Sequence, residues 1–248
     1  MTIPGVKKPP VYRLYQFVWN TIDWIYPPQC AGCDEKGYRW CPECANRTKQ
    51  LLYQLCSICG EPHSPKGRCQ ECSEVAPKFD QARSWSELKG PLRNAILRLK
   101  YQRDYGLGDV LVSPLVEMVG DMGWRIDMVV PVPLGEKRQS KRGYNQAAAL
   151  AKPLSWSLGL PYKPNALRRI RETDTQVGLS KIERQRNVFG AFDADEEIVA
   201  GERILIVDDV MTTGATLEAC AHTLKHANAK IVYGLTLTRA TYTRDKTM

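Results

Sequence analysis

Eight of the nine cysteines lie between Cys30 and Cys72, arranged as four C-x-x-C pairs. They read Cys30-Ala-Gly-Cys33, Cys41-Pro-Glu-Cys44, Cys56-Ser-Ile-Cys59 and Cys69-Gln-Glu-Cys72. A C-x-x-C turn places two thiolates on one side of a tight loop. Two such turns complete a tetrahedral site with Zn–S distances of about 2.3 Å. Sequential pairing gives Cys30, Cys33, Cys41 and Cys44 one Zn²⁺, and Cys56, Cys59, Cys69 and Cys72 a second. It is favoured because it closes shorter loops than interleaving does. All-cysteine tetrads leave no open coordination position, so both metals are expected to be structural. Disulfide frameworks belong to small secreted chains, and a redox dithiol needs one pair rather than four. Residues 29 to about 77 hold too few aliphatics to build a core without metal.

Nothing in the chain reads as membrane-spanning or exported. The longest apolar candidate, 11–26, is broken by Arg13, Asn20 and Asp23. Lys7, Lys8 and Pro9-Pro10 lead into aromatics rather than a small-residue cleavage site. The expectation is a cytoplasmic protein. Leu14, Val18, Ile22 and Ile25 at helical spacing predict an N-terminal helix closed by Pro27-Pro28. That helix either packs on the cysteine-rich segment or, through Lys7 and Lys8, makes a peripheral membrane contact. The formal net charge of +8 invites phosphate-bearing partners. Two zinc-loaded tetrads would lower it to about +4, so basicity alone overstates the case for nucleic acid.

From Phe79 the chain turns conventional. Leu92, Ile96 and Leu99 mark a helix opened by Pro91. Strands are expected at 128–133, 204–207 and 231–237, and helices at 145–158 and 214–226. Strands alternating with helices predict an α/β fold with a mostly parallel sheet. The expected organisation is a helix within 1–28, a double zinc ribbon at 29–76 and the α/β domain at 77–248.

The sharpest chemical signal is Ile204-Leu-Ile-Val-Asp208-Asp209-Val-Met211-Thr212-Thr213-Gly214-Ala215-Thr216. An apolar strand delivers two carboxylates at its C-terminal end, and a hydroxyl- and glycine-rich turn then opens a helix. Backbone N–H groups at a helix start make a nest for phosphate. In an open α/β sheet, the carboxyl end of a strand is where ligands bind. Acids beside a phosphate nest make sense if the ligand also presents hydroxyls, as a sugar phosphate does. The plainer alternative is a helix cap in which Asp209 or Thr212 serves only the backbone.

This segment resembles the phosphoribosyl-diphosphate signature of type I phosphoribosyltransferases. The resemblance implies that Asp208 and Asp209 hold the ribose hydroxyls and that 211–216 cradles the 5′-phosphate. Further stretches resemble the ComF competence family, a double zinc ribbon joined to such a domain. They include Val130-Pro131-Val132-Pro133-Leu134, Lys141-Arg142-Gly143-Tyr144-Asn145-Gln146, Arg168-Arg169 through Thr175-Gln176, and Pro27-Pro28-Gln29-Cys30. The likeness runs from about residue 22 to residue 240. It implies binding of phosphoribosyl diphosphate with Mg²⁺, and a role with incoming single-stranded DNA alongside other DNA-uptake proteins. Lys137, Arg138, Lys141 and Arg142, in a basic loop at 135–144, would then face the diphosphate, with Lys137 and Arg142 aiding its departure. The basic run 163–188 matches the family's mobile catalytic loop.

A third basic set, Arg93, Lys100 and Arg103 with Tyr101 between them, suits a groove for single strands: bases stack on rings and cations follow the backbone. These residues are expected to lie outside the 208–216 nest; an ordinary solvated helix face is the alternative. Three functional readings stay open: phosphoribosyl transfer to an unknown acceptor, a non-catalytic module that senses phosphoribosyl diphosphate, and a nucleobase-salvage enzyme.

Overall fold

The computed structural model describes residues 10–25, 27–51, 54–63, 67–102, 104–173 and 181–240. The chain opens with helix α1 (Pro10–Ile25) and the short helices α2 (Pro42–Arg47) and α3 (Gln70–Glu74) of the cysteine-rich segment. Strand β1 (Gln81–Glu87) leads to helices α4 (Gly90–Tyr101), α5 (Tyr105–Leu111) and α6 (Ser113–Asp121). Next come strand β2 (Met128–Pro131), helices α7 (Glu136–Arg142) and α8 (Gln146–Leu158), strand β3 (Leu167–Arg169), helix α9 (Lys181–Val188), strand β4 (Phe192–Ala194) and helix α10 (Glu196–Val199). Strand β5 (Arg203–Met211), helix α11 (Ala215–His226) and strand β6 (Ile231–Arg239) end the described chain.

Among the described residues, four strands form one parallel sheet in the order β1-β6-β5-β2, and β3 and β4 pair as a separate two-stranded antiparallel sheet. The sheet is covered on both faces, as a parallel sheet requires. Alternate residues of β5 serve the two sides. Ile204 and Ile206 pack with Leu217, Cys220 and Leu224 of α11, whereas Leu205 and Val207 pack with Leu150 and Leu154 of α8. Cys220 is fully buried there. Asn145 caps α8 by accepting from Ala147 N, and Pro91 occupies the first turn of α4.

Two sequence expectations change. The 135–144 segment is not a loop: Glu136 to Arg142 form α7, which Gly143 closes at φ +82°. β1 adds an edge strand that hydrophobic patterning did not foresee. Its inward positions are Ala82, Ser84 and Ser86, and the Ser84 hydroxyl bonds Thr236 Oγ1 at 2.6 Å. The far side of β1 is taken by the cysteine-rich segment. Leu51 N donates to Trp85 O at 2.8 Å, and Ala82 N donates to Ile58 O at 2.7 Å.

The start of β5 is fixed by Asp127, which accepts from Arg203 N and Nε, each at 2.8 Å. The Arg203 hydrogen bonds hold the Asp127 carboxyl down at about 2. A depressed folded value stabilises above the unfolded value of about 4, and that contribution is lost as pH falls toward 2. Asp127→Asn should therefore lower the melting temperature by about 2–4 °C at pH 7. The gap from wild type should close by pH 2. An unchanged melting temperature at pH 7 would mean this half-exposed pair is only a surface contact.

Candidate functional site

β5 runs four residues past its apolar stretch, so Asp208 and Asp209 lie inside the strand, with Asp208 paired in register to Thr236. Successive strand residues face opposite sides. Asp208 therefore follows Ile206 toward α11, while Asp209 follows Val207 toward α4 and α8. Both are buried, at 9% and 3% exposure. The turn 212–214 then feeds α11 through Gly214 at φ +80°, where a Cβ would fall 2.8 Å from Met211 Cε. That backbone angle favours glycine, and any Cβ there would also have to displace the Met211 methyl. The first N–H groups of α11 open beside the carboxylates.

The carboxylates are electrostatically unequal. Lys100 Nζ sits 2.8 Å from the buried Asp209 Oδ2 and forms an ion pair with it. Asp209 Oδ1 accepts from Gln146 Nε2 at 3.3 Å, and Asp209 N donates to Asp208 Oδ1 at 2.8 Å. Burial opposes ionisation of Asp209, but Lys100 and these bonds hold its carboxyl below the usual carboxylate range. Burial, reinforced by the charge on Asp209, pushes Asp208 well above that range. Burial also works against the Lys100 ammonium, and Asp209 outweighs it. Asp209 is therefore the more readily ionised of the two acids, and the Lys100 ammonium lies on its side of the strand.

These groups floor a cleft of about 1060 Å³. Lys137, Arg138, Lys141 and Arg142 of α7 line it, as do Met211, Thr212, Gly214, Ala215 and Thr216. Thr213 instead turns its Oγ1 to Ala215 N at 3.4 Å. Arg142 Nη1 donates to Gln146 Oε1 at 2.8 Å, and its guanidinium lies 5.3 Å from the ring centre of the exposed Tyr101. Lys137 N donates to Glu172 Oε1 at 3.0 Å, an approach that leaves no room for a Cβ on Gly135.

The proposed nucleic-acid track splits. Arg93 is exposed on α4 away from the cleft, and Arg103 lies outside the described residues. Lys100 is not outside the nest: it lies against Asp209 within the cleft, and Tyr101 lines the same cleft. The signal was present in the sequence, because Lys100 is four residues after Ile96 and so continues the inward stripe of α4. Sequence reasoning also missed Gln146, Arg169, Glu172 and Thr173 as lining residues. The expected lid, 163–188, falls partly on 174–180, outside the described residues; its flanks form β3 and α9.

The cysteines assemble in sequential order. Cys30, Cys33, Cys41 and Cys44 form one group and Cys56, Cys59, Cys69 and Cys72 a second, with sulfurs within 4.8 Å of one another in each. Cys33 and Cys41 sulfurs are 3.6 Å apart, and Cys59 and Cys69 3.7 Å. A tetrahedron with Zn–S of about 2.3 Å has edges of about 3.8 Å, so both tetrads fit Zn²⁺. Burial opposes the Cys30 and Cys56 thiolates, yet backbone N–H groups of Cys41 and Cys69 bring each to about 6. Each tetrad therefore offers a ready first thiolate for metal. The first tetrad docks on α4, where Arg98 Nη1 and Asn94 Nδ2 donate to Gln29 O and Gly32 O. The second lies in the main core beside β1 and β6, with Ala82, Met211 and Leu217 in the same cluster.

Residues 21–73 match the double zinc ribbon domain, and residues 120–246 the phosphoribosyl transferase domain. The chain is 34% identical over 198 residues to DNA utilization protein YhgH of Salmonella typhimurium, covering 77% of this chain and 86% of that protein. It is 31% identical over 208 residues to competence protein F of Haemophilus influenzae, covering 81% and 90%. With competence protein ComFC of Bacillus subtilis it shares 27% over 209 residues, covering 81% and 84%. Both modules recur here in order, and the match to competence protein F spans nearly that whole protein. The chain belongs to the ComF family, a double zinc ribbon followed by a type I phosphoribosyltransferase-like domain.

Proposed function

We propose that this chain binds phosphoribosyl diphosphate with Mg²⁺ in the β5–α11 cleft and acts on single-stranded DNA during its uptake and use. One observation carries the reading: two buried, unequal carboxylates stand beside a helix N-terminus at the carboxyl end of a parallel strand, under a wall of cations. In this assignment Asp208 and Asp209 accept from the ribose hydroxyls, and the amides of 212–216 hold the 5′-phosphate. Lys137, Arg138, Lys141 and Arg142 face the diphosphate and would steady its departure from the ribose C1 if transfer occurs. Asp208, Asp209 and the ligand's own oxygens are the hard donors that would hold Mg²⁺, which neutralises diphosphate charge when bound. The DNA role is supported by the names of the relatives.

Calorimetry with phosphoribosyl diphosphate and Mg²⁺ tests the first half; the absence of a binding isotherm would refute it. Single-stranded DNA tests the second. Arg93 stands clear of the cleft, so Arg93→Ala should flatten the salt dependence by about 0.7 in slope while leaving phosphoribosyl-diphosphate affinity unchanged. Tyr101→Ala should cost about 1–3 kcal/mol of DNA affinity if a base stacks there. Wild-type salt slope and affinity in both variants would leave α4 an ordinary helix face. Product formed with any acceptor separates transfer from sensing.

A further inference from the structure

Arg239, the last residue of β6, is 4% exposed. Its Nη1 donates to the Cys59 carbonyl at 2.8 Å and meets Met211 Sδ at 3.1 Å, while Nε donates to Glu61 Oε2 at 2.6 Å. One guanidinium thus touches a member of the second tetrad, the acid two residues beyond it, and the residue that enters the 212–214 turn. Ala240 N donates to Met211 O at 2.9 Å, so the backbone at the end of β6 grips the same residue. Met211 Cε in turn fills the space over Gly214.

A buried cation is costly unless paired and hydrogen-bonded, and a leucine could fill this volume without that cost. What arginine adds is a rigid planar fork whose donors hold fixed relative positions. If the Cys59 knuckle loosens, the fork loses its carbonyl partner and Met211 loses the group that packs on its sulfur. The first tetrad makes no such contact with the 212–214 turn among the described residues; its bonds go to α4 through Asn94 and Arg98 and to Asp23 and Asp104 through Arg39, so it meets the cleft only by way of the helix that carries Lys100.

We propose that Arg239 is a positioning residue through which metal in the second tetrad sets the phosphate-binding turn, so that zinc there and a phosphoribosyl ligand each strengthen the other's binding. The ligand half rests on the phosphoribosyl-diphosphate reading above. Coupling between binding sites is reciprocal, which makes the effect visible from the zinc side.

The full chain, equilibrated with a graded zinc chelator and then pulse-alkylated, reports each tetrad separately through its labelled peptides. With phosphoribosyl diphosphate and Mg²⁺ present, the chelator concentration that half-exposes Cys56, Cys59, Cys69 and Cys72 should rise about fivefold or more. The values for Cys30, Cys33, Cys41 and Cys44, which reach the cleft only through α4, should rise far less and should not respond to changes at Arg239. Arg239→Met should abolish the difference. Should that variant fail to fold, Arg239→Lys keeps a charge opposite Glu61, loses the fork and should uncouple the sites as well. Equal protection of both tetrads, or protection of the second tetrad that survives in these variants, overturns the proposal.

A ligand-free arm separates this from the broader reading. Amide exchange across 211–216 should quicken in the wild type when the second tetrad is stripped, and should already be fast in zinc-loaded Arg239→Lys. If calorimetry shows no phosphoribosyl-diphosphate binding, that reading fails, and the exchange result still decides whether Arg239 couples the tetrad to the turn. Exchange indifferent to zinc overturns the coupling.

Discussion

Protein purified without added metal is expected to carry two zinc ions per chain, and chelation is expected to melt more than the cysteine-rich segment. Binding to a structural zinc site is worth about 10–16 kcal/mol near neutral pH, against about 5–15 kcal/mol for the net stability of a whole domain. The two tetrads should not contribute alike. The first, with Cys33 exposed, is held at the helical side: Asn94 and Arg98 of α4 bond its loop carbonyls, and Arg39 pairs with Asp23 of α1 and Asp104 at the start of α5. The second shares its core with Ala82, Ile206 and Leu217, and β1 draws backbone bonds from its loops. Cys59→Ser should therefore loosen the sheet edge and lower the melting temperature far more than Cys33→Ser does. Elemental analysis and thermal unfolding check this. A single zinc per chain, or a disulfide pattern by mass spectrometry, would overturn the two-site assignment.

The elements legible from sequence are those whose burial is complete and local. Ile204 to Val207 packs on both faces, so an unbroken apolar run marked β5; Asn145 announced α8 because its side chain caps the helix. β1 was silent because its inward residues are small and partly polar, and of its other face only Trp85 packs on apolar neighbours, while the ribbon loops pair with its free edge. α7 was silent for the opposite reason: none of its residues is buried, so the sequence Glu-Lys-Arg-Gln-Ser-Lys-Arg carries no hydrophobic period.

The candidate site divides along the same line. The acid pair and the glycine turn form one contiguous stretch and could be read directly. Lys100 and Tyr101 come from a helix more than a hundred residues earlier. Basic and aromatic character pointed to nucleic acid, whereas the position of Lys100 on the inward stripe decides where its charge goes. Arg239 had no sequence signal at all, because a buried arginine at a strand end is recognisable only through its partners.

Asp208→Asn and Asp209→Asn are expected to act alike on binding and oppositely on stability. Each removes a charge-assisted hydrogen bond to a ribose hydroxyl, worth about 1.5–3 kcal/mol, so phosphoribosyl-diphosphate affinity should fall about ten- to hundredfold in either variant. On folding the signs separate. The Asp208 carboxyl is held above its unfolded value, so its favourable contribution exists only at low pH and is lost as pH rises. At pH 7 the acid therefore burdens the fold, and an isosteric amide that still accepts from Asp209 N should raise the melting temperature. The Asp209 carboxyl is held below its unfolded value, so it stabilises at neutral pH and that gain is lost on acidification. Asp209→Asn also leaves the Lys100 ammonium without its carboxylate at a site where its side chain is only 23% exposed, and the melting temperature should drop. Adding Lys100→Met to Asp209→Asn should recover stability without recovering affinity. A residue whose loss strengthens the fold and weakens the ligand is kept for the ligand. Unchanged affinity in both single variants would mean that the acids serve the turn alone.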